Sequence, residues 1–228
     1  MQISQWIGCQ DFPCADIQRE GYMLPNIDIH PEKIAVIMVS EATPAKPQDY
    51  YYAEHGALFQ QTTVQAFQDA GVRVASITDI LESGVYLTTA VKCSKTGYGI
   101  KANTIKTCSF ILEKELALFS NVKVFMLMGD VAIKALNYIG TRIGEGKVIP
   151  SGATYKIRGE QYSFQVKGKE SSPRIFKRGQ AFYREKQASY DRRRHLKSHG
   201  TYQVVTPARN EHQRCHCERS EAPSTSLR

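Results

Sequence analysis

Six consecutive apolar residues, Ile34–Val39 (IAVIMV), constrain the fold more than any other stretch of this chain. A run with no polar alternation has no face to give to solvent, so it reads as a strand buried on both sides of a parallel sheet. Ser40–Pro44 (SEATP) follows as a polar turn. Val85–Val91 (VYLTTAV) and Val122–Met128 (VKVFMLM) read as two further strands, rich in β-branched and aromatic residues. Helices are expected between them. Thr62–Ala70 closes at Gly71. Asn103–Phe119 places Ile105, Cys108, Ile111, Leu112, Leu116 and Leu118 at helical spacing, with Asn103 as N-cap. Met128-Gly129 leads into a helix over Val131–Tyr138. Ala153–Ile157 and Tyr162–Val166 read as a hairpin, and Arg174–Phe176 as the start of a last strand. Strands alternating with helices predict an α/β domain with a central, mostly parallel sheet covered on both faces. Ligands of such sheets bind beyond the carboxyl ends of the strands, which gathers Ser40–Pro44, Thr89–Cys93 and Gly129–Asp130 around one crevice.

Composition separates the body of the chain from its tail. The 228 residues are 42% hydrophobic and 23% charged, as in an ordinary globular protein. The net charge of +8 suits nucleic acid, yet 12 Lys and Arg against 5 Asp and Glu fall in 177–228, which leaves the body near neutral. Two units are therefore expected: a domain over 1–176 and an aberrant basic tail over 177–228. Apolar periodicity stops at Lys177. One permitted coding of Phe182–Leu196, read one base later, gives FIEKSKRHMIAEDI, a well-formed helix with acidic and basic residues at i,i+4 spacing. That reading makes the tail a frameshift product, poorly ordered. The first residues lack a basic start followed by an apolar run, and no run reaches membrane-spanning length, so a cytoplasmic protein without a membrane partner is expected. No G-x-G-x-x-G or Walker sequence is present, which excludes the usual nucleotide-cofactor sites.

Four cysteines of the body, Cys9, Cys14, Cys93 and Cys108, carry the spacing of a metal site. A strand end and a helix bring Cys93 and Cys108 together, and the N-terminal pair folds over them. Four soft thiolates suit an iron–sulfur cluster or zinc. They are also compatible with no metal at all, since cysteine packs as a small buried hydrophobe. Cys215 and Cys217, with His212 and His216, imitate a zinc motif but lie in the suspect tail.

The ordered set of motifs resembles the iron–sulfur, type-four uracil-DNA glycosylases of the uracil-DNA glycosylase superfamily. That family carries a GEAPG-like turn after its first strand, where this chain has SEATP at Ser40–Pro44. Its Gly-x-Pro-Phe segment falls on Gly56–Phe59 (GALF). Its Asn-x-x-Lys-Cys strand end falls on Thr89–Cys93 (TAVKC), with the next cysteine at Cys108. Its Leu-Gly before a helix falls on Met128-Gly129. The likeness spans roughly Cys9 to Ile139. It departs in a wider first cysteine pair and in Thr89, which stands where the family reads uracil with asparagine. The family's late histidine loop would follow Phe176.

The resemblance implies a three-layer α/β/α sandwich and a monomeric DNA glycosylase of base excision repair, which hydrolyses the N-glycosidic bond of uracil or another deaminated base. Such an enzyme extrudes the base into a pocket while positive charge builds on the sugar. Glu41 is then the carboxylate that orients water or steadies the cationic sugar, and Asp49 is a second candidate. Phe59 stacks on the base. The backbone of Ala42 and Thr43 hydrogen-bonds it, Thr89 touches its edge, and Gly129 makes the tight strand-to-helix turn. Cys9, Cys14, Cys93 and Cys108 hold a 4Fe-4S cluster, with zinc or no metal as alternatives. Lys92 lies near the cluster or a phosphate, or is solvated, and Lys95 and Lys101 reach toward phosphates. The other expectations are a catalytically inactive iron–sulfur protein that binds nucleic acid, and a defective truncated product.

Overall fold

A computed structural model describes residues 1–150 apart from His55, and beyond them the backbone of two strands. The strands are β1 (Ile17–Gln18), β2 (Val36–Thr43), β3 (Val85–Lys95), β4 (Val124–Leu127), β5 (Tyr162–Ser163) and β6 (Arg174–Lys177). The helices are α1 (Leu58–Asp69), α2 (Ile77–Glu82), α3 (Ala102–Ala117) and α4 (Asp130–Arg142). The strands form one sheet in the order β1-β3-β2-β4-β6-β5. Its centre, β3-β2-β4-β6, is parallel, and the edge strands β1 and β5 run antiparallel to it. The protein is thus α/β with a mixed sheet, as the alternation of strands and helices requires.

The apolar run divides its side chains between two cores. Val36 and Met38 join a cluster with Phe67 of α1 and Ile77 and Ile80 of α2. Ile37 and Val39 join a second cluster with Ile105, Leu112 and Leu116 of α3 and Ala132 and Leu136 of α4. Alternate residues of one strand thus meet different helix pairs, which is why no polar residue interrupts the run.

Several boundaries differ from the expectation, for local reasons. Ser40–Thr43 is not a turn. It continues β2 in register with β3, with Ser40 opposite Thr89 and a shift in register between Ala42 and Thr43. α1 begins at Leu58, four residues before Thr62, so Phe59 lies in its first turn. Asn103 is inside α3 and not its cap. The cap comes from a distant residue: Asp16 Oδ2 accepts the Lys101 N–H at 2.6 Å and Oδ1 accepts the Thr104 hydroxyl. Burial acts to raise the Asp16 pKa, but these two donors outweigh it and hold the carboxyl below its usual range. α2 has no counterpart in the sequence reading. Its six residues are too short for periodicity, and its signal is the capping box of Ser76 and Asp79.

Arg174–Phe176 falls within β6 as expected. Of the expected hairpin, Tyr162–Ser163 is β5 and pairs with β6, while Ala153–Ile157 and the 177–228 tail lie outside the described residues, apart from Lys177 at the end of β6.

The outer edge of β3 is paired by β1 only at Ser94 and Lys95. Below that point other groups take over. The Tyr52 hydroxyl donates to Leu87 O at 3.1 Å and accepts Leu87 N–H at 2.9 Å. The Lys92 ammonium folds back onto Thr89 O at 2.6 Å, and Met23 N–H reaches Lys92 O at 2.8 Å. Gly21 makes this closure possible, because a Cβ there would stand 2.1 Å from Ser94 Oγ.

Candidate active site and cysteine cleft

Parallel pairing of β2, β3 and β4 brings the sequence-predicted residues toward one end of the sheet. Glu41 follows Ser40, which is opposite Thr89, so the carboxylate and the threonine lie one residue out of step on adjoining strands. Glu41 is partly exposed and its Oε1 stands 3.3 Å from Lys95 Nζ. Ala42 and Thr43 are buried, and the Thr43 hydroxyl is committed to Gly21 O at 2.7 Å. Gly129 links β4 to α4 at φ 139°, a conformation that favours glycine, and no atom stands within 4 Å of where a Cβ would be.

Thr89 is fully buried, and its hydroxyl has no hydrogen-bond partner among the described residues. An orphaned buried hydroxyl costs about 1–3 kcal/mol. The same holds for the hydroxyl of Tyr50. Asp49 ends a short 3-10 turn, Pro47–Asp49, and forms no ion pair among the described residues. The tyrosines after it go inward: Tyr50 and Tyr51 are buried, and the Tyr51 ring stands 5.1 Å from that of Phe59. Phe59 is therefore a partly buried ring backed by an aromatic wall.

Lys92 lies beside the cysteines, one of the positions expected for it, and is neither solvated nor phosphate-facing. It is completely buried and paired with Glu115 of α3, itself completely buried. Glu115 Oε1 also accepts the hydroxyls of Tyr86 at 2.6 Å and Thr88 at 2.8 Å, and the Thr88 oxygen accepts a Lys92 N–H at 2.7 Å. Burial first, and then the negative charge of Glu115, keep Tyr50 and Tyr86 protonated far beyond the ordinary tyrosine range. Both carboxylate oxygens of Glu115 have donors, which is the condition for burying its charge. Glu115 was missed in the sequence, where it stands on the buried stripe of α3 as the one acid at a core position.

The four cysteines line one small cleft, walled also by Phe12, Tyr22 and Ile111. Cys9 precedes and Cys14 follows the turn at Phe12, Cys93 lies in β3 and Cys108 in α3. Burial pushes the Cys93 thiol up to about 12, and the nearby sulfurs of Cys108, Cys9 and Cys14 push in the same direction. Burial likewise raises Cys108 to about 11, against the Lys92 backbone N–H that reaches its sulfur at 3.3 Å. Cys14 is raised, first by burial. Among the described residues, no group of three or more His, Cys, Asp or Glu side chains is set to hold a metal ion. The thiols thus surround a shared space without closing on a single point.

The family model of the Uracil DNA glycosylase superfamily matches residues 28–191. The chain belongs to this superfamily. No curated protein matches it. Superfamily members are DNA glycosylases, so a uracil-DNA glycosylase-like hydrolase acting on DNA is the function that membership carries. The matched range takes in Glu41, Asp49, Phe59, Thr89, Gly129, Cys93 and Cys108, and begins after Cys9 and Cys14. Among the described residues no helix is long and apolar enough to cross a membrane.

Proposed function

We propose that this superfamily member is a glycosylase that removes uracil or another deaminated base from DNA, and that it is of the iron–sulfur type. The observation that carries the reading is the buried hydroxyl of Thr89, without a partner among the described residues, on the strand beside Glu41. A hydroxyl donates or accepts one hydrogen bond, so an extruded base presenting a carbonyl or an N–H satisfies it and removes the cost of leaving it orphaned. Glu41 orients the attacking water and steadies positive charge on the sugar. Lys95, at 3.3 Å, holds that carboxylate in place and is able to turn to a phosphate. Phe59 offers its ring to the base face against Tyr51. The backbone of Ala42 and Thr43 and the open face of Gly129 approach the base closely, and Asp49 is proposed as a second carboxylate beside Glu41. The two core clusters, one on each side of β2, support a three-layer α/β/α arrangement.

Cys9, Cys14, Cys93 and Cys108 would hold a 4Fe-4S cluster. The donor set fits: four soft thiols around one largely apolar space. Zinc fits less well, because tetrahedral sulfurs at about 2.3 Å from one ion must close on a point. The bound group would fasten the N-terminal segment to β3 and α3. Lys92 serves both regions, with its backbone N–H on the Cys108 sulfur and its ammonium on the Thr89 carbonyl.

The test is a uracil-excision assay on a labelled oligonucleotide. It compares this chain, its Glu41→Gln variant and a version with the reading frame restored before Phe182. Excision by the native or restored chain that Glu41→Gln abolishes supports the reading. Excision unchanged in the Gln variant removes Glu41 from the mechanism. No excision by either parent chain, with both folded and loaded with iron, leaves a binding role.

A further inference from the structure

The loop between β3 and α3 presents an aromatic ring to solvent in a way that packing does not explain. Tyr98 is 100% exposed, the most exposed of the large hydrophobic residues described. Its neighbours are Gly97 and Gly99, and neither would meet any atom within 4 Å if it carried a Cβ. The tip is thus free of steric contacts while the base of the loop is fixed. Thr96 N–H donates to Asp16 O at 3.3 Å, and Lys101 N–H donates to Asp16 Oδ2 at 2.6 Å, so one residue clamps both ends. The ring is also tied to the carboxylate of the candidate active site. Lys95 Nζ donates to Tyr98 O at 3.1 Å, stands 5.9 Å from the ring centroid, and stands 3.3 Å from Glu41 Oε1. The ring therefore sits one lysine away from Glu41, and Lys101 follows three residues later in the sequence.

A single exposed aromatic residue is ordinary on a protein surface. A ring held at a clamped loop tip, next to a lysine and beside a catalytic carboxylate, is the arrangement that stacks on nucleobases, where aromatic faces take the bases and cations take the phosphates. We propose that Tyr98 is a base-stacking residue, which packs its ring on a nucleobase next to the nucleotide withdrawn into the Glu41 site. This rests on the glycosylase reading and adds to it a contact outside the base pocket. Extrusion leaves the neighbouring base with one face uncovered, and the exposed ring of Tyr98 covers it.

The experiment uses the full chain and an oligonucleotide carrying 2-aminopurine next to a tetrahydrofuran abasic analogue, so that no excisable base is needed. The full exposure of Tyr98 keeps Tyr98→Ala folded, with an unchanged thermal melt as the check. Wild-type protein is expected to change the 2-aminopurine fluorescence on binding, and Tyr98→Phe to do the same. Tyr98→Ala is expected to lose that change and to bind about ten-fold more weakly. Binding by Tyr98→Ala with wild-type affinity and fluorescence overturns the stacking role and leaves the glycosylase reading standing. Failure of the wild-type protein to bind this DNA overturns both.

Discussion

Lys92→Met keeps the length and apolar stem of the side chain and deletes its charge together with its N–H donors to Thr88, Thr89 and Glu115. Glu115 then remains completely buried, holding the hydroxyls of Tyr86 and Thr88 but no counter-charge, and the Thr89 carbonyl loses its 2.6 Å donor. Breaking a buried ion pair from one side costs about 3–5 kcal/mol. With a urea dependence of about 2 kcal/mol per molar, the midpoint should fall by roughly 2 M, a large part of the stability of a domain this size. Lys92→Met/Glu115→Leu removes both charges at similar volume, and should recover most of the loss because no charge is left stranded. The assay is equilibrium urea unfolding of the wild type, both single variants and the double variant, followed by far-ultraviolet circular dichroism. A Lys92→Met midpoint equal to wild type would refute the claim that the pair is dry. A double variant as unstable as the single one would show that shape and hydrogen bonding, and not charge, set the cost.

Glu41→Gln should lower the single-turnover excision rate at least 100-fold while leaving the melt unchanged, since the side chain is partly exposed and its ion pair with Lys95 is a solvent-exposed one. Thr89→Val should raise unfolding stability by about 1 kcal/mol by removing an orphaned hydroxyl, yet weaken excision; a destabilised Val variant would mean that the hydroxyl has a partner in solution. In the metal-free protein, Cys93 and Cys108 favour the neutral thiol more than an unfolded chain does. Their contribution is whole below about pH 9 and is lost as pH rises through about 11 to 12, so the apo melting temperature should fall over that range, and a Cys93→Ser/Cys108→Ser variant should show a flatter profile. Ser76→Ala should cost about 1 kcal/mol in urea unfolding by uncapping α2, and Ser76→Asp should restore most of it.

Local patterns were legible in the sequence wherever one element decides its own geometry. The apolar run Ile34–Val39, the buried stripe of α3 and the glycine turn into α4 all follow from periodicity or backbone freedom. What escaped depends on partners far away in the chain. Ser40–Thr43 looks like a turn by composition, but β3 supplies it with backbone partners. Asn103 is a good cap by type, but Asp16, distant in sequence, takes that task. Lys92 and Glu115 are unremarkable singly, and only the packing of α3 on β3 makes them a pair. The same limit applies to the candidate site. Glu41, Thr89 and the four cysteines were legible by position, whereas Tyr98 and the aromatic wall behind Phe59 emerge only when separate segments meet.

The closure of the β3 edge has a consequence for how this protein fails. Tyr52, Lys92 and Met23 occupy backbone groups that a foreign strand would otherwise use as a template. Met23 and Gly21 arrive there with the N-terminal segment that also carries Cys9 and Cys14. Anything that lifts this segment, including loss of whatever the thiols grip, uncovers a long and mostly apolar strand edge. Damage at the cysteines should therefore show first as intermolecular β-aggregation in the cell, before any loss of helix content or of binding is measured.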